Sequence, residues 1–327
     1  MSDTGPVIDL APVRAGADGA ADSAARAIDD ALCSMGFFVI RGHGLSSDYL
    51  ASTAEMCRQF FDLPVAQKEA VLSTAQGSSR GYVRFGHSAL SRTMGVPSPG
   101  DYKEMFLMGP AEIPMLGPEA SAVASFYSPN VWPRTPADMR PVLEAYYHAM
   151  EQVGDLVLEL MARALHINPG YFIPLFRGHN STLTVINYPE QETPPLPGQL
   201  RAGAHTDYGA ITILRGEDKP GGLQVRTRQG DWLDIHAPDD ALVINVGDLL
   251  MRWTNDRWLS NIHRVANPPT AAVGESRRQS IAFFSNPRED VLIAALPTCV
   301  DAAHPQKHPP ILAGQHRIEK IQAALRT

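Results

Sequence analysis

Cysteine is scarce in this chain, with only Cys33, Cys57 and Cys299 among 327 residues. An odd count without a Cys-x-x-Cys pair argues against a disulfide framework and against a cysteine-rich zinc site. Buried, reduced thiols are the expectation. Positive charge is also in short supply: 28 Lys and Arg face 35 Asp and Glu, a net charge of -7. That balance disfavours a nucleic acid or an anionic membrane as partner, because either calls for a basic surface. No apolar run approaches the ~18 residues of a membrane span. Met1-Ser2-Asp3-Thr4 lacks the basic and apolar regions of a secretory leader. Gly216, Gly221 and Gly222 are not followed by Gly-Lys-Ser/Thr, so no phosphate loop is expected. A cytoplasmic protein is the expectation, as a monomer or weak homo-oligomer.

Turn formers, by contrast, are plentiful. The 26 glycines and 27 prolines are about a sixth of the chain, against a usual ~12%. With 44% hydrophobic residues, disorder does not explain them; many short strands do. The N-terminal third reads as mixed. A helix is expected over 20–35, a buried strand at Phe37-Phe38-Val39-Ile40, and a helix capped by Ser46 or Ser47 that runs to Phe61. Residues 73–100 read as a long loop or irregular hairpin. An apolar stripe through Val142, Tyr146, Met150, Val153, Val157, Leu160 and Met161 predicts a long helix over 137–165 that supports a sheet.

After about residue 180 the pattern becomes short β-runs: 182–186, 210–214, 223–227, 232–235, 241–245, 263–265 and 280–284. Such spacing indicates an antiparallel sandwich or jelly roll. A final helix is expected near 314–326. The expected organisation is one compact unit with an N-terminal region (1–120), a linker and supporting helix (121–178), a jelly-roll core (179–290) and a C-terminal tail (291–327).

The chemistry concentrates in that core. His205-Thr206-Asp207 is the only His-x-Asp, and side chains two apart on a strand point the same way. With His263 as the best third ligand, two imidazoles and one carboxylate make the facial set of non-haem Fe(II), which leaves positions open for substrates. The same donors also suit Zn²⁺, but no companion general base is evident. Arg278 and Ser280 likewise share a face, and a guanidinium beside a hydroxyl is a good carboxylate clamp.

Other segments follow in a set order. They are Val7-Ile8-Asp9-Leu10, Gly36-Phe37-Phe38-Val39-Ile40, His43-Gly44, Gly81-Tyr82 and Asp101-Tyr102-Lys103-Glu104. Asn187-Tyr188-Pro189, Gly222-Leu223-Gln224-Val225, Asn245-Val246-Gly247-Asp248 and Trp253-Thr254-Asn255 come next, with His263-Arg264-Val265, Arg278-Gln279-Ser280 and Phe283-Phe284 at the end. With this ordered set, nearly the whole chain resembles the isopenicillin-N-synthase-like branch of the Fe(II)/2-oxoglutarate-dependent oxygenases.

The resemblance implies a double-stranded β-helix (jelly-roll) core with a helical N-terminal region and a long supporting helix. It implies that His205, Asp207 and His263 hold Fe(II), that Arg278 and Ser280 bind the distal carboxylate of 2-oxoglutarate, and that Tyr188 helps to hold it. O₂ would be the second co-substrate and ascorbate an optional reductant. Succinate and CO₂ would be released as a C–H bond of a small organic molecule is hydroxylated, desaturated or closed into a ring. The pattern departs at Ile186, where family members often carry Asn; Asn187 would point to the opposite face of a regular strand. Tyr82, Arg84, Phe85, Phe106, Met108 and Phe283 are the candidates for the substrate pocket. Two alternatives stay open at this point: a related iron oxidase that uses the Arg-x-Ser pair on its substrate instead of 2-oxoglutarate, and a non-catalytic binding protein on the same scaffold.

Overall fold

Short apolar strands have to bury a face, and here two sheets do so against each other around one cavity. The computed structural model describes residues 5–73, 80–113, 127–269 and 274–326. The N-terminal part carries β1 (Val7–Asp9), α1 (Ala11–Arg14), α2 (Ala20–Ser34), β2 (Phe37–Arg41), α3 (Ser47–Phe61) and α4 (Val65–Glu69). Ser46 caps α3 as expected, its hydroxyl accepting from the Tyr49 amide at 3.2 Å. Then come β3 (Gly81–Val83), a 3-10 turn (Leu90–Met94), β4 (Glu104–Met108), the long α5 (Met139–Ala164) and α6 (Ile173–Phe176).

The second half contains β5 (Thr182–Tyr188), β6 (Ala202–His205), β7 (Ile211–Gly216), β8 (Leu223–Arg226), β9 (Trp232–Asp234) and β10 (Leu242–Val246). It continues with α7 (Asp248–Trp253), β11 (His263–Val265), β12 (Arg278–Ser285), β13 (Leu292–Ile293), β14 (Ile311–Leu312) and α8 (Ala313–Arg326). The large sheet runs β1-β2-β10-β7-β12-β5-β4-β3, and the small one β6-β11-β8-β9. Together they form the jelly roll, with β13 and β14 paired separately.

Strand alternation decides which side chains meet the cavity. On β12, Ile281 and Phe283 face the main hydrophobic core with Tyr146, Tyr147, Met150, Val153 and Val157 of α5, whereas Arg278, Ser280, Ala282 and Phe284 face the cavity. The Tyr147 and Phe283 rings meet edge-on, 5.0 Å between centroids. Each large apolar side chain buried this way contributes about 1.5–3 kcal/mol, so α5 is a rigid back wall for the sheet. The three cysteines are free. Among the described residues no helix is long and apolar enough to cross a membrane.

Six strands fall outside the expected set: β1, β3, β4, β6, β13 and β14. All but β4 are two to four residues long, and β4 is apolar on alternate and intervening positions alike, so no period-two signal marks it. Within the 73–100 stretch expected as a long loop or irregular hairpin, residues 74–79 lie outside the described residues.

Candidate active site

Pairing of β6 with β11 sets the first cluster, because His205 lies directly across from His263 in the antiparallel register. Their rings are 4.3 Å apart. Asp207 follows two residues after His205, and its Oδ1 is 3.8 Å from Nε2 of each histidine. One ligand atom from each of the three lies within 4.8 Å of the others. This is the one group of three or more His, Cys, Asp or Glu side chains so placed among the described residues.

The surroundings fix which atoms face inward. His205 Nδ1 is 2.7 Å from the Gly203 carbonyl and His263 Nδ1 is 3.1 Å from the Asn261 carbonyl. A carbonyl only accepts, so each Nδ1 carries the proton and each Nε2 offers a lone pair. Asp207 Oδ2 accepts from Thr212 Oγ1 at 2.6 Å and Asn245 Nδ2 at 2.8 Å. That leaves Oδ1 for the space shared with the imidazoles. Burial, then the neighbouring His263, pushes the pKa of His205 far below its usual range. Burial acts to raise Asp207, but His263 and His205, with the bonds from Asn245 and Thr212, pull it below its ordinary value. Neutral imidazoles and an ionised carboxylate are the states a divalent cation requires.

The turn after Asp207 is held from behind. Gly247 follows β10, where a Cβ would lie 2.3 Å from the Gly209 carbonyl oxygen and 2.9 Å from that of Asp207. Backbone cannot give way as a side chain can, so glycine is required there. Asp248 accepts from Ser260 Oγ and Thr206 Oγ1 and pairs with Lys320 of α8 at 2.6, 3.2 and 2.7 Å. These contacts tie α7, α8 and the His-x-Asp turn together.

The second cluster lies on the neighbouring strands of the large sheet. Arg278 is buried, and its Nε donates to the Glu217 carbonyl at 3.0 Å. Its Nη1 has no partner among the described residues. Burial lowers its pKa, with Tyr188 and Glu217 opposing, yet a guanidinium stays charged in a protein. Its cation sits 5.4 Å from the centre of the Tyr188 ring, and Ser280 Oγ donates to the Tyr188 hydroxyl at 3.5 Å. A buried cation with an unused donor is costly unless an anion completes it. Residues of both clusters line a single cavity of about 410 Å³. The donor sets therefore fit a divalent metal at one place and a carboxylate at the other.

The six expected substrate-pocket residues are not among those lining this cavity. Tyr82 is buried, its hydroxyl donating to Glu104 Oε2 at 2.5 Å. Arg84 pairs with Glu69 at 2.5 Å, and Phe85 is exposed with its ring against Tyr102, 4.8 Å between centroids. Phe106, Met108 and Phe283 belong to the main core. The difference is one of register. Met105, Leu107 and Phe284, next door to three of the six, face the cavity with Leu90, Lys103 and Ile186. Asn187 points away, as its position predicts, and donates to Glu104 Oε1 at 2.9 Å. The resemblance assigns no role to Thr212, Asn245 or Lys103, although Asn245 and Lys103 lie within its ordered segments. Thr212 and Asn245 face each other across the β7–β10 pair, a signal that becomes usable only once that pairing is known.

Residues 180–287 match the 2OG-Fe(II) oxygenase superfamily, and residues 6–135 match a family described as non-haem dioxygenase in morphine synthesis N-terminal. The chain is 33% identical over 319 residues to the 2-oxoglutarate-Fe(II) type oxidoreductase hxnY of Emericella nidulans, covering 94% of this chain and 86% of that one. It is 33% identical over 310 residues to validamycin A dioxygenase of Streptomyces hygroscopicus subsp. limoneus, covering 93% and 83%. Among solved structures, a full-length Neurospora crassa protein in complex with alpha-KG and thymine superposes with a TM-score of 0.84 at 27% identity, covering 99% of this chain and 97% of that one. The chain thus belongs to the 2OG-Fe(II) oxygenase superfamily, and it is an Fe(II)- and 2-oxoglutarate-dependent dioxygenase.

Proposed function

We propose that His205 Nε2, Asp207 Oδ1 and His263 Nε2 hold the iron, and that Arg278 and Ser280 receive the distal carboxylate of 2-oxoglutarate beside Tyr188. The observation carrying this reading is that two incomplete polar sets, three inward metal-ligating atoms and the unpartnered Arg278 Nη1, share one cavity. When bound, iron, 2-oxoglutarate and O₂ supply the oxidation of a C–H bond, with succinate and CO₂ as by-products. The chain's own residues orient and enclose. Gly203 and Asn261 carbonyls fix the imidazole tautomers, while Thr212 and Asn245 aim the Asp207 carboxylate. Leu90, Met105, Leu107, Ile186 and Phe284 form an apolar wall that keeps water from the reacting C–H bond. The substrate is a small organic molecule resting against that wall. The complex of the Neurospora protein with thymine supports a ligand of this size.

Anaerobic titration of Fe(II) in the presence of 2-oxoglutarate tests the assignment. One iron per chain is expected, with the visible absorption that a chelated 2-oxoglutarate gives to iron. Asp207→Ala should lose both while remaining folded. Full iron binding by that variant would remove Asp207 from the site.

A further inference from the structure

One charged side chain on the apolar wall is used neither by the metal cluster nor by the Arg278 clamp. Lys103 directly precedes β4, is 3% exposed and lines the cavity. Its ammonium pairs with Asp101 Oδ2 at 3.1 Å, and both side chains are almost wholly buried. Asp101 is well supplied without it. Its Oδ1 accepts from the Gly203 amide at 3.0 Å, and its Oδ2 accepts from the Leu90 amide at 3.1 Å and Ser88 Oγ at 3.3 Å. An ammonium has three donors, and among the described residues this one meets a single acceptor. The Asp101 bond also places it. Gly203, which donates to Asp101, is the residue whose carbonyl holds His205 Nδ1. Lys103 is thus indexed to the strand that carries the first expected iron ligand.

We propose that Lys103 is a substrate-binding residue, and that it hydrogen-bonds an acceptor oxygen, carboxylate or carbonyl, on an otherwise apolar small molecule. Buried cations with free donors are completed by an acceptor, and the neighbouring lining at Leu90, Met105, Leu107 and Ile186 supplies none from its side chains. Asp101 balances the charge of Lys103, so a neutral carbonyl leaves the pair neutral, whereas a carboxylate adds one negative charge. This single contact would set which end of the substrate lies toward the wall and therefore which C–H bond lies toward the metal.

The proposal rests on the iron and 2-oxoglutarate site described above, and the test separates the two. Anaerobic protein is loaded with Fe(II) and 2-oxoglutarate, loading is verified by visible absorption, and benzamide, benzoate and toluene are titrated by calorimetry. These probes share a ring and differ in the acceptor. At least one of benzamide and benzoate should bind about tenfold or more tighter than toluene, a ratio equivalent to ~1.4 kcal/mol. Which of them binds more tightly identifies the acceptor as neutral or anionic. Lys103→Met should erase that margin. Because that variant strands the Asp101 carboxylate, Lys103→Met with Asp101→Asn is measured in parallel and should lose the margin too. Failure to load iron and 2-oxoglutarate would overturn the site. Normal loading with equal binding of all three probes, or a margin that survives in the folded variants, would overturn the role of Lys103.

Discussion

At the scale of single residues, the site is built from side chains that would be poorly satisfied alone. Asp207 is aimed by Thr212 and Asn245 through its outer oxygen, 2.6 and 2.8 Å away. Removing such a support typically costs 10–100-fold in metal affinity or activity. Thr212→Val and Asn245→Leu should each weaken Fe(II) binding by about that factor, read from equilibrium titration; unchanged affinity would show that the carboxylate needs no aiming. Arg278 is a second case. A hydrogen bond to a charged partner contributes about 1.5–3 kcal/mol, so Arg278→Ala should raise the KM for 2-oxoglutarate by roughly tenfold or more. A KM within twofold of wild type would remove the clamp. The types and order of these groups were legible in sequence because Arg278 and Ser280 alternate along one strand, His-x-Asp leaves the end of another, and His263 follows as a distal imidazole partner. Their supports were not, since Thr212 and Asn245 reach Asp207 only through the β7–β10 pairing.

Elements show where sequence reading loses its footing. The strand β4 reads Glu-Met-Phe-Leu-Met, apolar on both faces after its first residue. Each face has an apolar use: Phe106 and Met108 pack in the main core, and Met105 and Leu107 line the cavity. With no polar face there is no way to choose the register by inspection. Glu104 misleads further, because it is buried and satisfied by Lys68 at 2.8 Å, Tyr82 at 2.5 Å and Asn187 at 2.9 Å. Long, amphipathic α5 and the capped α3 were legible for the opposite reason, since each has one apolar side and one wet one. The register makes neighbouring substitutions diverge. Phe106→Ala should cost about 3–5 kcal/mol of stability in urea unfolding. Met105→Ala removes a cavity-wall side chain instead, and its larger effect should fall on substrate KM. Should the two effects be interchanged, the register of β4 described here would be incorrect. Lys68→Met leaves the Glu104 carboxylate buried without its cation and should destabilise by about 3–5 kcal/mol, measurable in the same experiment.

The whole molecule couples these parts into one reaction chamber. The two sheets each contribute one cluster: β6 and β11 the histidines, β5 and β12 the Tyr188, Arg278 and Ser280 group. A ligand bridging them binds the folded state and not the unfolded one. At 100 times its dissociation constant such a ligand adds about 2.7 kcal/mol, so Fe(II) with 2-oxoglutarate should raise the melting temperature and a chelator should reverse the rise. The scarcity of cysteine fits this economy, because a chain of 327 residues buries enough surface to need no disulfide. The acidic balance of the chain says little about its chamber, where Arg278 and Lys103 are both buried cations. The most direct measurement is succinate formed from 2-oxoglutarate with Fe(II), ascorbate and O₂, comparing wild type with His263→Ala. Wild type should release succinate and folded His263→Ala should release none above the protein-free background. Succinate at the wild-type rate from the variant, or none from wild type supplied with a substrate it binds, would contradict the assigned iron site.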